Sequence, residues 1–409
     1  MDFSLGYTKE QEEFAKEVRG WLDSNVPEDL VSPRDTRKMS YEQWQKRREL
    51  GRKLGEKGWL WPEQPREYGG GSLDADHSFV LRQELAERYL GLPPYSNFGE
   101  LAVPAILAGG SEEQKKCFLP PILKGEAVTW QLLTEPEAGT DQGNQQTNAF
   151  RSVREKDYFI VNGQKIFVGG LYPPPDQFLL LSRSDLEAPK YQNLAMFFTP
   201  ANLLGVTIQP LDIFPLGRLG RVCGPAVDDT GGVKYSVFFD DVRIHESCLL
   251  GGERDGWRVA NAALTVGHGD SGLVTRNFLL EKFLTQCKSN PNMVKRLDEN
   301  PQLLDSVVDI YIGAQIERLF SMRNHWLAQS GRRVPYTGMQ LLVYSKMSGT
   351  GMITDMAEVL GPYAFIDDAE WGLDEGIFEV GQRCGVCLAP GGPPEGQKIV
   401  MSRALGIGR

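Results

Sequence analysis

The chain has 409 residues, with 54 Asp and Glu against 44 Lys and Arg, for a formal net charge of -10 at pH 7. That length exceeds what one hydrophobic core usually serves, so about two or three domains are expected, with no need of metal or disulfide staples. The acidic balance argues against a nucleic-acid or anionic-membrane surface, because such partners select a clustered basic excess.

Residues 1–125 read as an N-terminal helical domain. Thr8-Lys9-Glu10-Gln11 has the form of a capping box, and Phe14, Val18, Trp21 and Leu22 then fall on one face of a helix. Ser40 with Gln43 repeats the signal. A further helix is expected from about Asp76 to Arg88, and another from Leu101, after the punctuation of Pro93-Pro94-Tyr95. The start Met-Asp-Phe-Ser lacks the basic and apolar stretches of a signal peptide, and no apolar run approaches the ~20 residues of a spanning helix, so a cytoplasmic protein is expected.

From about Val128 the period changes from helix to strand, and residues 126–250 read as a middle β domain. Tyr158 to Val161, the Asn162-Gly163 pair and Lys165 to Val168 predict a strand, a type I′ turn and a second strand. Phe178 to Ser182, Leu194 to Thr199, Val206 to Leu211 and Tyr235 to Val242 continue as short strands between Pro, Gly and Asp clusters. After Trp257 helical patterning returns. Leu303 to Gln329 and Tyr336 to Leu360 are apolar on one face, as in a bundle, so residues 251–409 read as a C-terminal helical domain.

General nucleotide motifs are missing: the chain has neither a G-x-G-x-x-G turn nor a G-x-x-x-x-G-K-[ST] loop. Four histidines, His77, His245, His268 and His325, stand far apart in sequence. Among six cysteines only Cys384-Gly385-Val386-Cys387 has suggestive spacing, and buried thiols are the expectation there. The informative stretch is Trp130 to Asp141 leading into Asn162-Gly163-Gln164-Lys165. Thr and Gly residues after a strand offer hydroxyls and free N–H groups to a ring edge or a diphosphate.

Those residues carry a specific resemblance. Thr134 to Asp141, Thr-Glu-Pro-Glu-Ala-Gly-Thr-Asp, resembles the T-E-P-x-A-G-[ST]-D signature of the acyl-CoA dehydrogenases, and Asn162 to Phe167 resembles the family's N-G-x-K aromatic strand. Glu112 to Lys115, Phe239 to Arg243, Gly256-Trp257, and Gln397 to Val400 with Arg403 to Gly406 are further landmarks of the likeness. It implies an α+β fold with an N-terminal helical domain, a middle β domain and a C-terminal four-helix bundle. It also implies FAD, an acyl-CoA substrate, α-proton removal by a carboxylate, hydride transfer to flavin N5, and reoxidation by electron transfer flavoprotein. A homodimer or homotetramer is expected, or a hetero-oligomer with a related subunit.

Carried over by position, Gln131, Leu133, Thr134, Gly139 and Thr140 belong to the flavin-contacting strand and loop. Phe167 resembles the aromatic residue packed on the ring, Gly169 replaces a frequent hydroxyl residue, and Pro393 to Glu395 stand where the turn meets the adenosine half. Both usual positions of the catalytic glutamate hold glycine. Gly391 stands at one, where its backbone N–H would serve the thioester oxygen, and Gly269 at the other. Asp270 and Glu100 are the carboxylates expected in the region, each with an ordinary alternative: Asp270 as a turn residue among glycines, Glu100 as a helix-start acid favoured by the macrodipole. His268 is weighed as a proton shuttle, with a satisfied histidine as its alternative. The likeness thus allows a working dehydrogenase, a base-lacking subunit, or a flavin reaction on a CoA thioester that is not a dehydrogenation.

Overall fold

Capping chemistry opens the helical part of the molecule. In the computed structural model, which describes residues 7–30, 39–87, 99–170, 172–214, 218–220, 224–226, 233–267, 277–332, 334, 336–374, 376–385 and 392–407, Thr8 and Gln11 exchange hydrogen bonds of 2.9 and 3.2 Å. This box starts α1 (Lys9–Asn25), and Ser40 with Gln43 starts α2 (Tyr41–Glu56) in the same way. Next come α3 (Ala75–Glu87) and α4 (Gly99–Gly109). A third capping box, Ser111 with Gln114, begins α5 (Glu112–Leu123). The Gln114 amide also donates to the carbonyls of Ser247 and Leu249, 2.8 Å each, which ties this helix to the β domain.

The middle of the chain forms β1 (Thr129–Leu132), β2 (Asn148–Arg151), β3 (Tyr158–Gly169), β4 (Gln177–Arg183), β5 (Leu194–Pro200), β6 (Val206–Asp212), a small hairpin of β7 (Arg218–Gly220) and β8 (Gly224–Ala226), and β9 (Val233–His245). Seven of these strands, all but the hairpin pair, make one sheet in the order β1, β4, β2, β3, β9, β6, with β5 on the far side of β4. β1 and β2 dock on the same edge of β4, β1 along Gln177 to Leu180 and β2 at Arg183. Period-2 alternation divides the sheet's two faces. Phe178, Leu180 and Phe197 enter a core shared with the N-terminal Leu54 and Trp59, while Leu179, Leu181, Met196 and Phe198 meet a core built on Val103 and Ile106.

The hairpin expected at Asn162-Gly163 does not form. Both halves of the segment pair with the same strand, β9, so β3 runs through. Two steps along β3, from Val161 to Gly163, face three steps along β9, from Val242 to Phe239, leaving one extra residue as a bulge. Asn162 closes it by bonding Asp241 twice, at 3.0 and 2.8 Å, and Gly163 takes φ 145° with the Cα of Thr147 2.6 Å from where a Cβ would stand. An Asn-Gly pair supplies left-handed backbone to a bulge as readily as to a turn.

The C-terminal helices are α6 (Gly256–Gly267), α7 (Phe278–Ser289), α8 (Pro291–Glu299), α9 (Gln302–Gln329), α10 (Thr337–Leu360), α11 (Ile377–Gly385) and α12 (Pro394–Ala404). Leu279, Phe283, Ile310, Met352, Met356 and Phe378 fill their separate core. Gly256 begins α6 where the backbone of Leu194 lies 2.6 Å from a would-be Cβ, so the helix starts directly on β5. Among the described residues no helix is long and apolar enough to cross a membrane.

Candidate functional site

The loop between β1 and β2 is held by a buried charge cluster. Lys165, on β3, places its ammonium 2.7 Å from Glu135 Oε1, with side-chain exposures of 0% and 2%. Glu135 also accepts the N–H groups of Gln146 and Thr147 at 2.5 and 3.1 Å, and Lys165 reaches the Gln145 amide oxygen and the carbonyl of Leu133. Burial pushes the Lys165 ammonium down to about 8, against the pull of Glu135. The Glu and Lys of the two sequence signatures are therefore a scaffold for the loop and do not line its open side.

What the scaffold presents is polar and open. Thr134 gives its carbonyl to the N–H of Ile166, 2.9 Å away. Its own N–H and hydroxyl have no hydrogen-bond partner among the described residues, and neither do the N–H groups of Gly139 and Thr140. Gly139 and Thr140 are exposed, and a Cβ on Gly139 would meet nothing within 4 Å. Gln131 has its Oε1 buried and unpartnered, an arrangement that costs free energy unless a ligand answers it. Leu133 is half-buried between these groups.

Beside Thr134, β3 bulges a second time: Lys165 to Val168 takes three steps against two on β9. The extra residue leaves Phe167 in the left-handed region, φ 57°, and 55% exposed. A bulky residue in that conformation is strained by about 1–2 kcal/mol. Such strain clusters at ligand sites. Gly169, two residues on, is buried and pairs with Lys234.

The C-terminal end closes on the same loop. α12 starts at Pro394, after Pro393, and carries Glu395 in its first turn. The position of a Cβ on Gly396 is 3.6 Å from Thr140 Cγ2, so this first turn lies against the loop. Asp141 anchors the loop's far side through Lys190 and the Tyr191 hydroxyl, and the bond from Lys190 holds its carboxyl below the usual range.

Of the residues singled out in the sequence, Gln131, Leu133, Thr134, Gly139, Thr140, Phe167, Pro393 and Glu395 converge on this one region. Glu100 lies apart from it, in the first turn of α4. Arg258, in the first turn of α6, donates to the carbonyl of Ala108 near the end of α4, so the two packed helices run in opposite directions. Glu100's end of α4 thus lies alongside the end of α6 that holds Gly267. Asp270, Gly391, Gly269, His268 and Cys387 lie outside the described residues. The pairing of Glu135 with Lys165 and the left-handed state of Phe167 were not foreseen; a lysine inside the apolar strand segment of β3 and a glutamate in the first signature were the only trace of the pair.

The region fits FAD on its own chemistry: an exposed aromatic residue next to the Thr134 hydroxyl, an unpartnered amide oxygen on β1, and free N–H groups next to a helix start. Comparison with known proteins gives the same direction. Residues 8–126 match the model for the acyl-CoA dehydrogenase N-terminal domain and residues 131–220 that for the middle domain. The acyl-CoA dehydrogenase IpdE1 of Mycobacterium tuberculosis is 30% identical over 266 residues, which span 64% of this chain and 64% of that relative's length. A structure named Tcur3481-Tcur3483 steroid ACAD superposes over 100% of both chains with a TM-score of 0.76 at 24% identity. The ChsE4-ChsE5 complex from Mycobacterium tuberculosis does so over 100% of both chains with a TM-score of 0.75 at 24% identity. At such identities the structures speak for the fold.

Proposed function

Since this chain belongs to the acyl-CoA dehydrogenase family, we propose that it binds FAD and an acyl-CoA thioester and catalyses α,β-dehydrogenation of the acyl chain. Family membership supports a flavoprotein oxidoreductase; the reaction and the residues below are our reading. The observation that carries it is Phe167, strained and exposed next to the unpartnered hydroxyl and N–H of Thr134. FAD, when bound, supplies the hydride acceptor. The chain's part is to seat the ring with Phe167 and Thr134, to answer polar ring atoms with Gln131 and Leu133, and to offer the diphosphate Gly139 and Thr140. Pro393 and Glu395 serve the adenosine half, and buried Gly169 keeps the strand close. The N–H of Gly391 donates to the thioester oxygen, which lowers the barrier to losing the α proton.

A carboxylate must take that proton. Asp270 and Glu100 are the two we propose. Purified protein that shows flavin absorption and bleaches anaerobically with an acyl-CoA supports the reading, and electron transfer flavoprotein should then restore the colour. Asp270→Asn and Glu100→Gln assign the base: the variant that loses turnover while keeping flavin names it, and wild-type turnover in both removes both.

Glycine at both usual glutamate positions favours one second reading, a subunit that works beside a base-bearing relative. Colourless protein that gains flavin only on co-expression with such a relative would establish it. A colourless chain under every condition would sink both.

A further inference from the structure

The long helix α9 carries polar residues where it is buried and apolar ones where it is exposed. Glu317, Ser321 and Asn324 face inward, with at most 3% exposure; Glu317 accepts the hydroxyl of Ser345 on α10, and Asn324 donates to the carbonyl of Thr337. Outward, Leu304, Val308, Tyr311, Ile312, Ile316 and Leu319 are 38–53% exposed, and Trp326, 52% exposed, ends the stripe. Steps of three, four and seven keep these positions on one side of a helix, over about 33 Å. A surface helix ordinarily shows water the reverse arrangement. Seven side chains of this size, each about half exposed, leave about 600 Å² of apolar surface, at the top of what a monomer usually shows and close to one partner's share of a specific interface.

The borders of the stripe are charged unevenly along its length. Asp305 and Asp309 flank its first half, Arg318 and Arg323 its second, and Gln340 of α10 holds the Arg323 guanidinium at 3.0 Å. Two such helices laid parallel would set acid against acid and base against base. Laid antiparallel, each acidic half meets a basic one. Patch size and charge order both fit a second copy of this chain, since a two-fold pair uses one self-complementary surface twice.

We propose that the outward face of α9 is a self-association surface, on which two copies of the chain pair antiparallel about a two-fold axis passing between Ile312 and Gln315. That register sets Val308 against the partner's Leu319, Tyr311 against the partner's Ile316, and Asp305 beside the partner's Arg323. The pair buries about 1,200 Å² in all, which reaches the range of stable interfaces. Nothing in this depends on the flavin reading above.

Sedimentation velocity and light scattering on the full chain over a concentration series test the proposal, with circular dichroism to establish that each variant folds. Wild type should sediment as a dimer or a multiple of one. Ile312→Lys, which puts a charge at the centre of the seam at a position outside the core, should raise the dissociation constant at least about a hundredfold. Asp305→Arg and Arg323→Asp should each weaken pairing about tenfold, and both together in one chain should restore most of it, because the two-fold pair then re-forms with its signs exchanged. A wild type that stays monomeric throughout the series overturns the proposal. So does an assembly that Ile312→Lys leaves intact, since the interface would then lie on another face, and so does a chain that pairs only with a different, related chain. Two weak single variants with no recovery in the double overturn the antiparallel register. Should Arg323→Asp not fold, Asp305→Arg weakening and Val308→Lys dissociating the pair decide the matter in its place.

Discussion

Lys165→Met removes the counter-charge of a buried carboxylate while keeping most of the side chain's volume. In the native protein Glu135 lies 2.7 Å from the Lys165 ammonium, and both are almost wholly inaccessible. After the substitution Glu135 keeps only the N–H groups of Gln146 and Thr147, at 2.5 and 3.1 Å. Removing one partner of a buried pair costs about 3–5 kcal/mol, and two surviving bonds to the carboxylate place this case at the lower end, about 3 kcal/mol. Adding Glu135→Gln neutralises the orphan and keeps an oxygen for the N–H groups, so the double variant should recover about half of the loss. Denaturant titration followed by fluorescence and by circular dichroism measures the cycle, two probes being needed because a multidomain chain need not unfold in one step. A cost below about 1 kcal/mol for Lys165→Met, or a double variant no better than the single, refutes the account of the pair as the loop's scaffold.

Phe167→Gly relieves the left-handed strain but adds backbone freedom, so apoprotein stability should stay within about 1 kcal/mol while FAD affinity falls about tenfold or more; equal affinity by titration would remove Phe167 from the site. Thr134→Val should weaken FAD binding about fivefold and shift the flavin spectrum, as expected for one lost hydrogen bond of about 1 kcal/mol. His325 stacks on Phe79 with centroids 4.4 Å apart, and burial lowers its pKa below the ordinary 6.5, against the pull of Asp76 and Glu63 and with that of Arg82. The unfolded chain therefore binds the extra proton first, and stability falls as pH drops below about 6.5. In His325→Phe that component should vanish from the pH dependence of Tm; an unaltered slope would show that another group is responsible.

Local signals were read well from sequence because their physics is local. The boxes at Thr8 and Ser40 start helices within a residue of the expected place, and the short apolar runs Phe178 to Ser182 and Leu194 to Thr199 give β4 and β5. Asn162-Gly163 misled because left-handed backbone serves a turn and a bulge alike, and only the common partner β9 decides between them. Glu135 and Lys165 stand 30 positions apart, and their meeting depends on how β3 returns beside the end of β1, which no window of sequence contains. Phe167 reads as an ordinary core strand residue until the register on β9 slips by one. Its exposure follows from that slip rather than from its own chemistry.

Because β1 and β2 are fastened to one edge of β4, the loop that joins them is a handle bolted at both ends. Sliding either strand to absorb an insertion would turn its side chains through the sheet. A redesign of this handle would accordingly have to keep its length and exchange residues in place.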